Sequence, residues 1–488
     1  MRLFAVFALL AALVPGPVPT TPSAALRTIE VAELHRSLTS ALVADLDATP
    51  AIAARAALAI GRTKNREGVP PLRAHLSASV PGVRAMCAYG LGLLADGPSL
   101  GALMAYARND DNSAVRYAAI DAVGRILMAD PRSATLILAN DGLIVARGDP
   151  DPTVRAHAAA QLEAFRGTPY AKAIAASLER AQAQERDETV RWHTAWVIFR
   201  GFATVVDAPF LTTALHDRSE LVRVEAARAW GRRSDPDAAA IVRPALDDPS
   251  WRVQLEAGEA LRRLAHQAPT DHLMATPPGL HLPPIPRVRP TATSLAATPV
   301  PTPLASPPGT LAAPDPATLP LAEPVLPKTA RDLAALRPYA HPRVRIRTTK
   351  GDVVVRLVPE WAPATVANFL SLAGHGYFNG NRWFRIVPDF VVQTGDPTDN
   401  GEGDAGYSIP AEENPLEERS GVIAMGLNYS KGNALRDSAG TQFYLTLSPQ
   451  LHLDRDFSVF GEVQSGFDVL AHLIESDRMI AVRRISDG

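Results

Sequence analysis

Apolar residues recur at helical spacing through the first half of the chain, from about residue 29 to residue 267. The clearest sign of a repeat is an apolar residue followed by arginine, which recurs at intervals of 32, 39, 36, 32 and 29 residues. These intervals separate Val83-Arg84, Val115-Arg116, Val154-Arg155, Val190-Arg191, Val222-Arg223 and Trp251-Arg252, and Arg55 is a weaker first copy. Periods of this length are typical of proteins built from stacked pairs of helices. The pattern therefore predicts an all-helical array.

Residues that favour a helix start stand at a fixed distance before these arginines. Four positions earlier the chain has, in order, Asn112, Asp151, Asp187, Ser219 and Asp248. All of these side chains are good N-caps, because their oxygen can accept a hydrogen bond from a free N–H of the first helical turn. Alanines follow several of the arginines, so helices there can approach each other closely. We therefore expect one helix of each repeat to begin just after the capping residue.

The arginines themselves admit two interpretations. They could form a row that binds a ligand, or they could pair with acidic residues along the stack. An arginine that follows an Asp-type cap in repeat after repeat has acidic groups close by, so the pairing interpretation is favoured.

The repeat pattern resembles the HEAT-like repeat family, in a variant shorter than the roughly 40 to 47 residues of standard HEAT repeats. The resemblance covers about half of the chain and implies an all-α solenoid over residues 26–266. The concave face of such a solenoid binds other proteins, so a protein partner is expected on the repeats. The short units and the alanine- and arginine-rich composition indicate a bacterial protein.

The N-terminus has the order of a secretory signal. One arginine precedes the apolar run from Leu3 to Val14, and a stretch of small residues follows it. Twelve apolar residues make about 18 Å of helix, too short for the roughly 30 Å of a bilayer core. We predict a signal peptide over residues 1–25, cleaved after Ala25, and an exported protein that is periplasmic or secreted. The alternative is a buried N-terminal helix, which the Pro-Gly-Pro break after Val14 disfavours.

A proline-rich stretch follows the repeats. Between Gln267 and Pro327 lie 17 of the 43 prolines, in 61 residues that contain no Phe, Trp or Tyr and five charged side chains. This composition cannot bury a core and favours an extended, polyproline-like chain. We predict a semi-rigid Pro-rich linker over residues 267–335.

Composition removes several classes of function. The chain of 488 residues carries 49 Lys and Arg against 51 Asp and Glu, so it is not a polycation for nucleic acid. Its single cysteine, Cys87, rules out an internal disulfide and a cysteine-ligated zinc site, and we expect a packed core thiol there. The histidines form no HExxH pair, so we expect no metal and no cofactor. No segment after the signal is long and apolar enough for a stable membrane span.

From Val344 onward the apolar period changes to two, the period of a β-strand. Residues 344–348 and 353–358 flank a Lys-Gly-Asp turn and predict a hairpin, and a helix is expected from Pro363. Further β-runs are predicted at residues 385–393, 422–426, 442–447 and 459–463, followed by an amphipathic helix with Phe467, Leu470, Leu473 and Ile474 and by a last strand. Short strands with two helices indicate an antiparallel barrel.

Five consecutive blocks of this region resemble the cyclophilins, the peptidyl-prolyl cis-trans isomerases. They read TTKGDVVVRLVPEWAPATVANFLSLAGHGYFNG, WFRIVPDFVVQTGDP, GVIAMG, AGTQFYLTL and LDRDFSVFGEVQSGFDV. The match covers nearly all of residues 343–488 and places a cyclophilin-type domain at residues 336–488. It implies an antiparallel β-barrel of eight strands with two capping helices, and an enzyme that rotates Xaa-Pro peptide bonds.

That reaction needs little chemical machinery. Rotation of an Xaa-Pro bond crosses a barrier of about 18 to 20 kcal/mol because amide resonance is lost when the C–N bond twists. A donor held against the prolyl nitrogen and an apolar pocket for the ring lower the barrier, without nucleophile, metal or cofactor. The resemblance assigns the donor role to Arg385, whose guanidinium is permanently charged. The alternative for Arg385 is an exposed arginine of a surface strand.

The resemblance also implies which residues bind the substrate. They are Phe390, Val391, Gln393, Gly426, Leu427, Gln442, Tyr444, His452, Leu453 and Phe457. For any single apolar residue among them, a place in the barrel core is the more ordinary interpretation. Their joint spacing around Arg385 favours the site.

Several positions depart from the best-known pattern of the family. His452 stands where many members have Trp, Phe457 where many have His, Val391 where Met is common and Tyr444 where Phe is common. Each substitute keeps apolar or aromatic surface, so the pocket should persist with altered selectivity. The histidine implies weak cyclosporin binding, and the stretch before Gln442 is longer than in short members.

These features together favour an exported prolyl isomerase that assists the folding of proline-containing polypeptides, with the repeats recruiting its clients. Two alternatives stay open: an exported proline-binding chaperone with little or no turnover, and a scaffold in which the solenoid is the active part. A further hypothesis is that linker prolines, tethered near Arg385, occupy the site of the same molecule.

Overall fold

The computed structural model of the chain describes residues 24–130, 148–267, 341–430 and 433–485. The predicted signal peptide, apart from its last two residues, lies outside these ranges, as does the predicted linker apart from Gln267. Among the described residues no helix is long and apolar enough to cross a bilayer.

The described chain up to Gln267 is helical, as the repeat pattern predicts. Its α-helices are α1 Ala24–Leu34, α2 Ser40–Ala44, α3 Pro50–Arg62, α4 Val69–Ala74, α5 Pro81–Leu93, α6 Leu100–Asn109, α7 Ser113–Ala129, α8 Pro152–Gln161, α9 Ala171–Gln182, α10 Glu188–Val197, α11 Ala208–Ala214, α12 Glu220–Trp230, α13 Ala238–Val242 and α14 Trp251–Gln267. Short 3₁₀ turns join several of them, for example His75–Ser77 between α4 and α5.

The chain divides into two compact units. The first combines the helices up to Phe165 with the C-terminal sheet, and the second runs from Arg166 through α14. In the first unit, α3 lies close to α5, and α5 lies close to α7. A Cβ added to Gly61 would stand 2.6 Å from the Cα of Gly90, and one added to Gly92 would stand 2.6 Å from the Cα of Ala122. Helices can approach this closely only where small residues meet.

Four of the in-phase arginines pair with aspartates of the following repeat. In the first unit Arg84 Nε and Nη2 donate to the two carboxylate oxygens of Asp110 at 2.8 and 2.9 Å. Arg116 holds Asp149 in the same forked way at 2.6 and 2.8 Å. The second unit repeats the arrangement with Arg191 and Asp217, and with Arg223 and Asp248. The pairing interpretation is confirmed for these four arginines.

Helices begin directly after four of the five predicted capping residues, and three of these side chains make the capping hydrogen bond. Asn112, Asp151 and Asp187 each accept a hydrogen bond from a backbone N–H of the first turn of α7, α8 and α10. Ser219 occupies the N-cap position of α12, and its side chain makes no capping bond.

The last repeat differs from the prediction, because α14 begins at Trp251. Asp248 is therefore not its cap but the partner of Arg223, at 2.7 and 2.9 Å. Gln254 takes the in-phase position and donates to the backbone oxygen of Asp248 at 2.6 Å, while Arg252 pairs with Glu220 at 2.8 Å. Counting Trp251-Arg252 as a member of the row was wrong, since the repeat is two residues longer than that marker indicates.

The C-terminal region is an antiparallel sheet of eight strands. In the sheet they follow the order β10, β1, β2, β9, β5, β8, β4, β3. The strands are β1 Arg343–Thr348, β2 Gly351–Leu357, β3 Arg385–Val387, β4 Val391–Thr394, β5 Val422–Met425, β8 Phe443–Thr446, β9 Val459–Ser465 and β10 Met479–Ile485; a separate pair consists of β6 Tyr429–Ser430 and β7 Asn433–Ala434. The sheet curls until residues beside its two edges meet, through an antiparallel bridge between Arg382 and Arg478.

Two helices accompany this sheet, α15 Pro363–Gly374 and α16 Phe467–Ala471. Phe369 of α15 packs its ring against Phe378, Phe443 and Phe460 at centroid distances of 5.2, 5.3 and 5.2 Å. The predicted second helix is shorter than expected, because Leu473 and Ile474 lie beyond its end and Ile474 is exposed.

One predicted β-run proved to be a hairpin. Residues 385–393 form β3 and β4 joined by a turn, with Arg385 opposite Gln393. Asp389 in the turn has a φ of 56°, in the left-handed region that a continuous strand never uses. This turn decides which side chains stand beside Arg385.

Candidate active site

A row of polar side chains crosses strands β3 and β4 and reaches Gln442, which precedes β8. Arg385 Nη1 donates to Gln393 Oε1 at 3.1 Å, and Gln393 Nε2 donates to Gln442 Oε1 at 3.1 Å. Gln442 Nε2 is in turn anchored on the backbone oxygens of Gly401 and Gly403 at 2.9 and 3.1 Å. Each amide thus orients the next, and the row ends in an exposed guanidinium. The sheet therefore presents a fixed cation to the solvent.

Aromatic rings stand next to this cation. The guanidinium carbon of Arg385 lies 5.3 Å from the ring centroid of Phe390, within the range of a cation–π contact. Phe390 stacks on the imidazole of His452 at 5.5 Å and an interplanar angle of 19°. The structure therefore joins the predicted donor to two predicted pocket residues, and His452 supplies the flat surface expected of it.

A second aromatic pair lies deeper. Tyr444, opposite Gln393 across β4 and β8, meets the ring of Phe457 edge-on at 5.5 Å. Both side chains are buried, with 4% and 7% of their surface exposed. The pair provides apolar surface behind the polar row.

Glu418 is a residue of this site that sequence reasoning missed. The Tyr444 hydroxyl donates to Glu418 Oε1 at 2.7 Å. Burial raises the pKa of Glu418 to about 8, although the hydrogen bond from Tyr444 opposes the shift. The signal that could have pointed to it is Tyr444 itself, because a buried tyrosine in place of phenylalanine needs a partner for its hydroxyl.

Gly426 lies beside the polar row. A Cβ at Gly426 would stand 3.2 Å from Gln393 Nε2 and 3.2 Å from the Cβ of Gln442, and its N–H donates to the backbone oxygen of Gln442 at 2.8 Å. Leu427 follows it in the chain and is almost fully buried. Gly426 thus leaves the space in which the two amides meet.

Val391 and Leu453 are placed differently from the residues around Arg385. Val391 is buried within β4, paired with Thr446 of β8, and Leu453 is buried in the 3₁₀ turn Leu451–Leu453. The barrel-core interpretation fits both of these residues.

Two further observations bear on the chemistry. Among the described residues, no group of three or more His, Cys, Asp or Glu could hold a metal ion. Cys87 is buried in α5, and burial raises the pKa of its thiol to about 12. A thiol that stays protonated at neutral pH is a packing residue rather than a nucleophile.

Family models of known proteins match both the N-terminal and the C-terminal regions of the chain. A family model described as cyclophilin type peptidyl-prolyl cis-trans isomerase/CLD matches residues 343–484. A model of HEAT repeats matches residues 36–124 and 208–278.

Two relatives match about a quarter of this chain and most of their own length. Peptidyl-prolyl cis-trans isomerase B of Bacillus subtilis is 39% identical over 129 residues, which are 26% of this chain and 86% of the relative. Peptidyl-prolyl cis-trans isomerase-like 1 of Homo sapiens is 36% identical over 145 residues, 28% of this chain and 84% of the relative. A solved cyclophilin type peptidyl-prolyl cis-trans isomerase of Cryptosporidium parvum aligns with 30% of this chain and 99% of its own, at 26% identity and a TM-score of 0.28. On the sequence matches, the chain belongs to the cyclophilin-type peptidyl-prolyl cis-trans isomerases and carries HEAT repeats in its N-terminal region.

Proposed function

We propose that the protein is an exported prolyl isomerase that rotates Xaa-Pro bonds of proline-containing polypeptides and so assists their folding. The observation that carries the proposal is the row Arg385, Gln393 and Gln442, held by hydrogen bonds beside the stacked rings of Phe390 and His452.

Each part of the row has a task in the rotation. When the C–N bond twists, the prolyl nitrogen regains a lone pair, and the guanidinium of Arg385 can donate to it only in that state. Gln393 positions the guanidinium through a hydrogen bond of 3.1 Å, so little reorganisation is needed during the reaction. The rings of Phe390 and Phe457 offer apolar surface for the proline ring.

The export and client-binding parts of the proposal rest on the N-terminal half. The apolar run at residues 3–14, followed by small residues, supports a signal peptide and an exported, periplasmic or secreted, location. HEAT repeats in the region supply helical faces that commonly bind proteins, so clients or a protein partner are expected there.

The test compares the full chain with Arg385→Ala. The exchange of cis and trans forms of a short Ala-Pro peptide is measured by NMR. We expect the wild type to accelerate exchange and Arg385→Ala to lower kcat/KM about 100-fold, the usual effect of removing one donor from a transition state. Arg347→Ala is the matched control, because Arg347 is an exposed arginine on another strand, β1. Equal acceleration by wild type and Arg385→Ala would contradict the proposal.

A second candidate is an exported proline-binding chaperone without useful turnover. It is favoured by the altered rim, in which His452 is stacked on Phe390 and Phe457 meets Tyr444 edge-on. The same experiment separates the two: peptide binding visible as shifted NMR signals, with exchange no faster than the uncatalysed rate, would support the chaperone. If the spectrum is unaltered and the exchange is uncatalysed, the protein neither binds nor isomerises the peptide. The result would then favour the scaffold hypothesis, in which the solenoid is the active part.

A further inference from the structure

One face of helix α7 lies against the C-terminal sheet domain. Tyr117, Asp121 and Arg125 follow one another at a spacing of four residues, so they share this face. The Tyr117 hydroxyl donates to Glu417 Oε1 at 3.2 Å, and Arg125 Nη1 lies 3.6 Å from Glu413 Oε2. All three side chains of α7 are at most 8% exposed. The face is therefore covered by the same chain.

The end of α3 contributes a fully buried cation to this contact. Arg62 donates through Nη1 to Glu33 Oε1 at 2.6 Å, through Nε to the backbone oxygen of Glu413 at 2.8 Å and through Nη2 to that of Trp361 at 2.7 Å. Lys64 Nζ adds a contact of 2.9 Å to Glu413 Oε2. Burying a guanidinium destabilises the folded state strongly unless each of its nitrogens has a hydrogen-bond partner. Each nitrogen of Arg62 has one. The fit indicates a built interface between repeats and sheet domain.

The interface centres on residues 411–419, which we call the acidic strap. Its four glutamates, at positions 412, 413, 417 and 418, are each at most 4% exposed. Glu413 and Glu417 meet the repeats, whereas Glu412 accepts from the N–H groups of Ala364 and Thr365 at the start of α15, at 3.0 and 2.7 Å. Glu418 accepts from Tyr444 of the candidate site. The strap therefore touches both the repeats and the candidate proline pocket.

A second connection runs through the loop of residues 451–457, which carries His452, Leu453 and Phe457. Arg455 in this loop has a φ of 74°, a conformation that non-glycine residues adopt only when neighbours hold it. Its Nε lies 3.2 Å from Asp121 Oδ1 of α7, and its Nη2 donates to Gln161 Oε1 of α8.

The same loop is also fixed from the side of the sheet domain. Asp454 Oδ1 accepts from the N–H of Glu418 at 2.7 Å, and Asp456 Oδ1 pairs with Arg436 at 2.6 Å. Arg436 also reaches Glu413 Oε1 of the acidic strap at 2.6 Å. Strap and loop therefore form one connected support of the pocket.

We propose that the repeats up to Phe165 are an internal positioning partner of the isomerase site, with Asp121 fixing the loop of residues 451–457 through Arg455. This inference rests on the proposed isomerase function. Asp121 and Arg455 touch no reacting atom; they set where His452 and Phe457 stand. Substrate affinity and selectivity should then depend on α7, and this face of the repeats is occupied rather than open to clients.

The first experiment measures KM and kcat of full-length variants with an Ala-Pro peptide. We expect Arg455→Gln to raise KM about five- to tenfold, the size of a lost charge-assisted hydrogen bond, and to change kcat less than twofold. Asp121→Asn should also raise KM, and the double variant should show less than the sum of the two effects, because both changes remove the contact between Arg455 and Asp121. Each single variant also disturbs a second contact, because Asp121 accepts from Arg125 at 2.6 Å and Arg455 donates to Gln161. The rise in KM that the two variants share therefore measures the contact between Arg455 and Asp121.

The matched control is Asp110→Asn. Asp110 is likewise a buried partner of an arginine in the first unit, Arg84, and touches neither the strap nor the loop of residues 451–457. An unchanged KM in Asp110→Asn is expected. If Arg455→Gln leaves KM unchanged, or if Asp110→Asn raises it equally, the positioning role is overturned.

A second readout separates this inference from the isomerase proposal. Hydrogen exchange of the backbone amides of residues 411–419 and 451–457 should quicken in Arg455→Gln but not in Asp110→Asn. If the wild type shows no turnover, the isomerase proposal fails. Faster hydrogen exchange and weaker peptide binding in Arg455→Gln would then still support the positioning role. If hydrogen exchange is the same in the wild type and in Arg455→Gln, the positioning role is overturned even where isomerase activity is present.

Discussion

At the scale of single residues, the site combines an exposed cation, held by two half-buried amides, with a buried polar pair. Gln393 and Gln442 restrict the guanidinium of Arg385, and Tyr444 with Glu418 forms a second polar pair behind the apolar surface. The two groups follow different rules. The exposed guanidinium can bond to water, so its partners serve to orient it. The two buried polar groups must bond to each other, because a buried polar atom without a hydrogen bond destabilises the folded state.

The buried pair leads to a prediction about stability. Tyr444→Phe removes the donor to Glu418 and should lower the free energy of unfolding by about 1–3 kcal/mol, since a buried carboxyl loses its partner. Replacing Glu418 by Leu in the same chain should restore most of that loss, because both polar groups are then gone. Urea unfolding of the full chain measures both changes.

Tyr429→Phe is the control for this prediction, because Tyr429 is a tyrosine of the same domain with 60% of its surface exposed. It should unfold like the wild type. Additive losses in Tyr444→Phe with Glu418→Leu would show that the two side chains do not stabilise each other.

At the scale of helices and strands, the repeats are joined by forked arginine–aspartate pairs. Each aspartate stands two residues before the N-cap residue of the next helix, as Asp217 does before Ser219. The same carboxylate accepts from the N–H of that capping residue, at 2.8 Å for Ser219. One side chain therefore both positions a helix start and ties it to the preceding helix.

Removing such an aspartate should destabilise the repeats strongly. Asp217→Ala leaves Arg191, which is 5% exposed, without its carboxylate, and breaking a pair of this kind costs about 3–5 kcal/mol. Thermal or urea unfolding followed by circular dichroism measures the loss. Asp247→Ala, at an exposed aspartate of the same unit, should change stability by less than about 0.5 kcal/mol. A similar loss in both variants would mean that the pairing contributes nothing specific.

At the scale of the whole molecule, the acidic strap links the first repeats to the sheet domain. Glu413 is contacted by Lys64 and Arg125 from the repeats and by Arg436 from the sheet domain. Burial alone would raise the pKa of Glu413, but the three cations outweigh it and lower the pKa to about 2. The ionised carboxylate therefore stabilises the folded unit above its ordinary pKa, and the stabilisation is lost as the pH falls from 4.5 towards 2.

Acid unfolding tests this link. Between pH 5 and pH 2 the wild type should lose roughly 3 kcal/mol more than Glu413→Gln, at about 1.4 kcal/mol for each unit of pKa shift. The comparison concerns the dependence on pH, because Glu413→Gln also lowers stability at neutral pH. Glu475→Gln, at an exposed glutamate, should keep the dependence of the wild type. Parallel curves for wild type and Glu413→Gln would contradict the assigned role of Glu413.

The sequence alone was sufficient for whatever depends on local chemistry and periodicity. Caps at Asn112, Asp151 and Asp187, the hairpin of β1 and β2 and the start of α15 were all predictable, because each depends on a few neighbouring residues. The motif around Arg385 was also readable, since family resemblance is carried by short blocks. The error at Arg252 arose because an apolar residue before arginine is a weak marker of phase when one repeat differs in length.

Tertiary structure alone decided which distant residues meet. Tyr117 and Glu417 are 300 residues apart, and Arg62 lies 351 residues before Glu413, so no local pattern relates them. Glu418 looks like an ordinary surface glutamate in the sequence, yet burial against Tyr444 makes it part of the site. Charged residues reveal such roles only after folding, because their free energy depends on burial and on partners that the chain brings together from far apart.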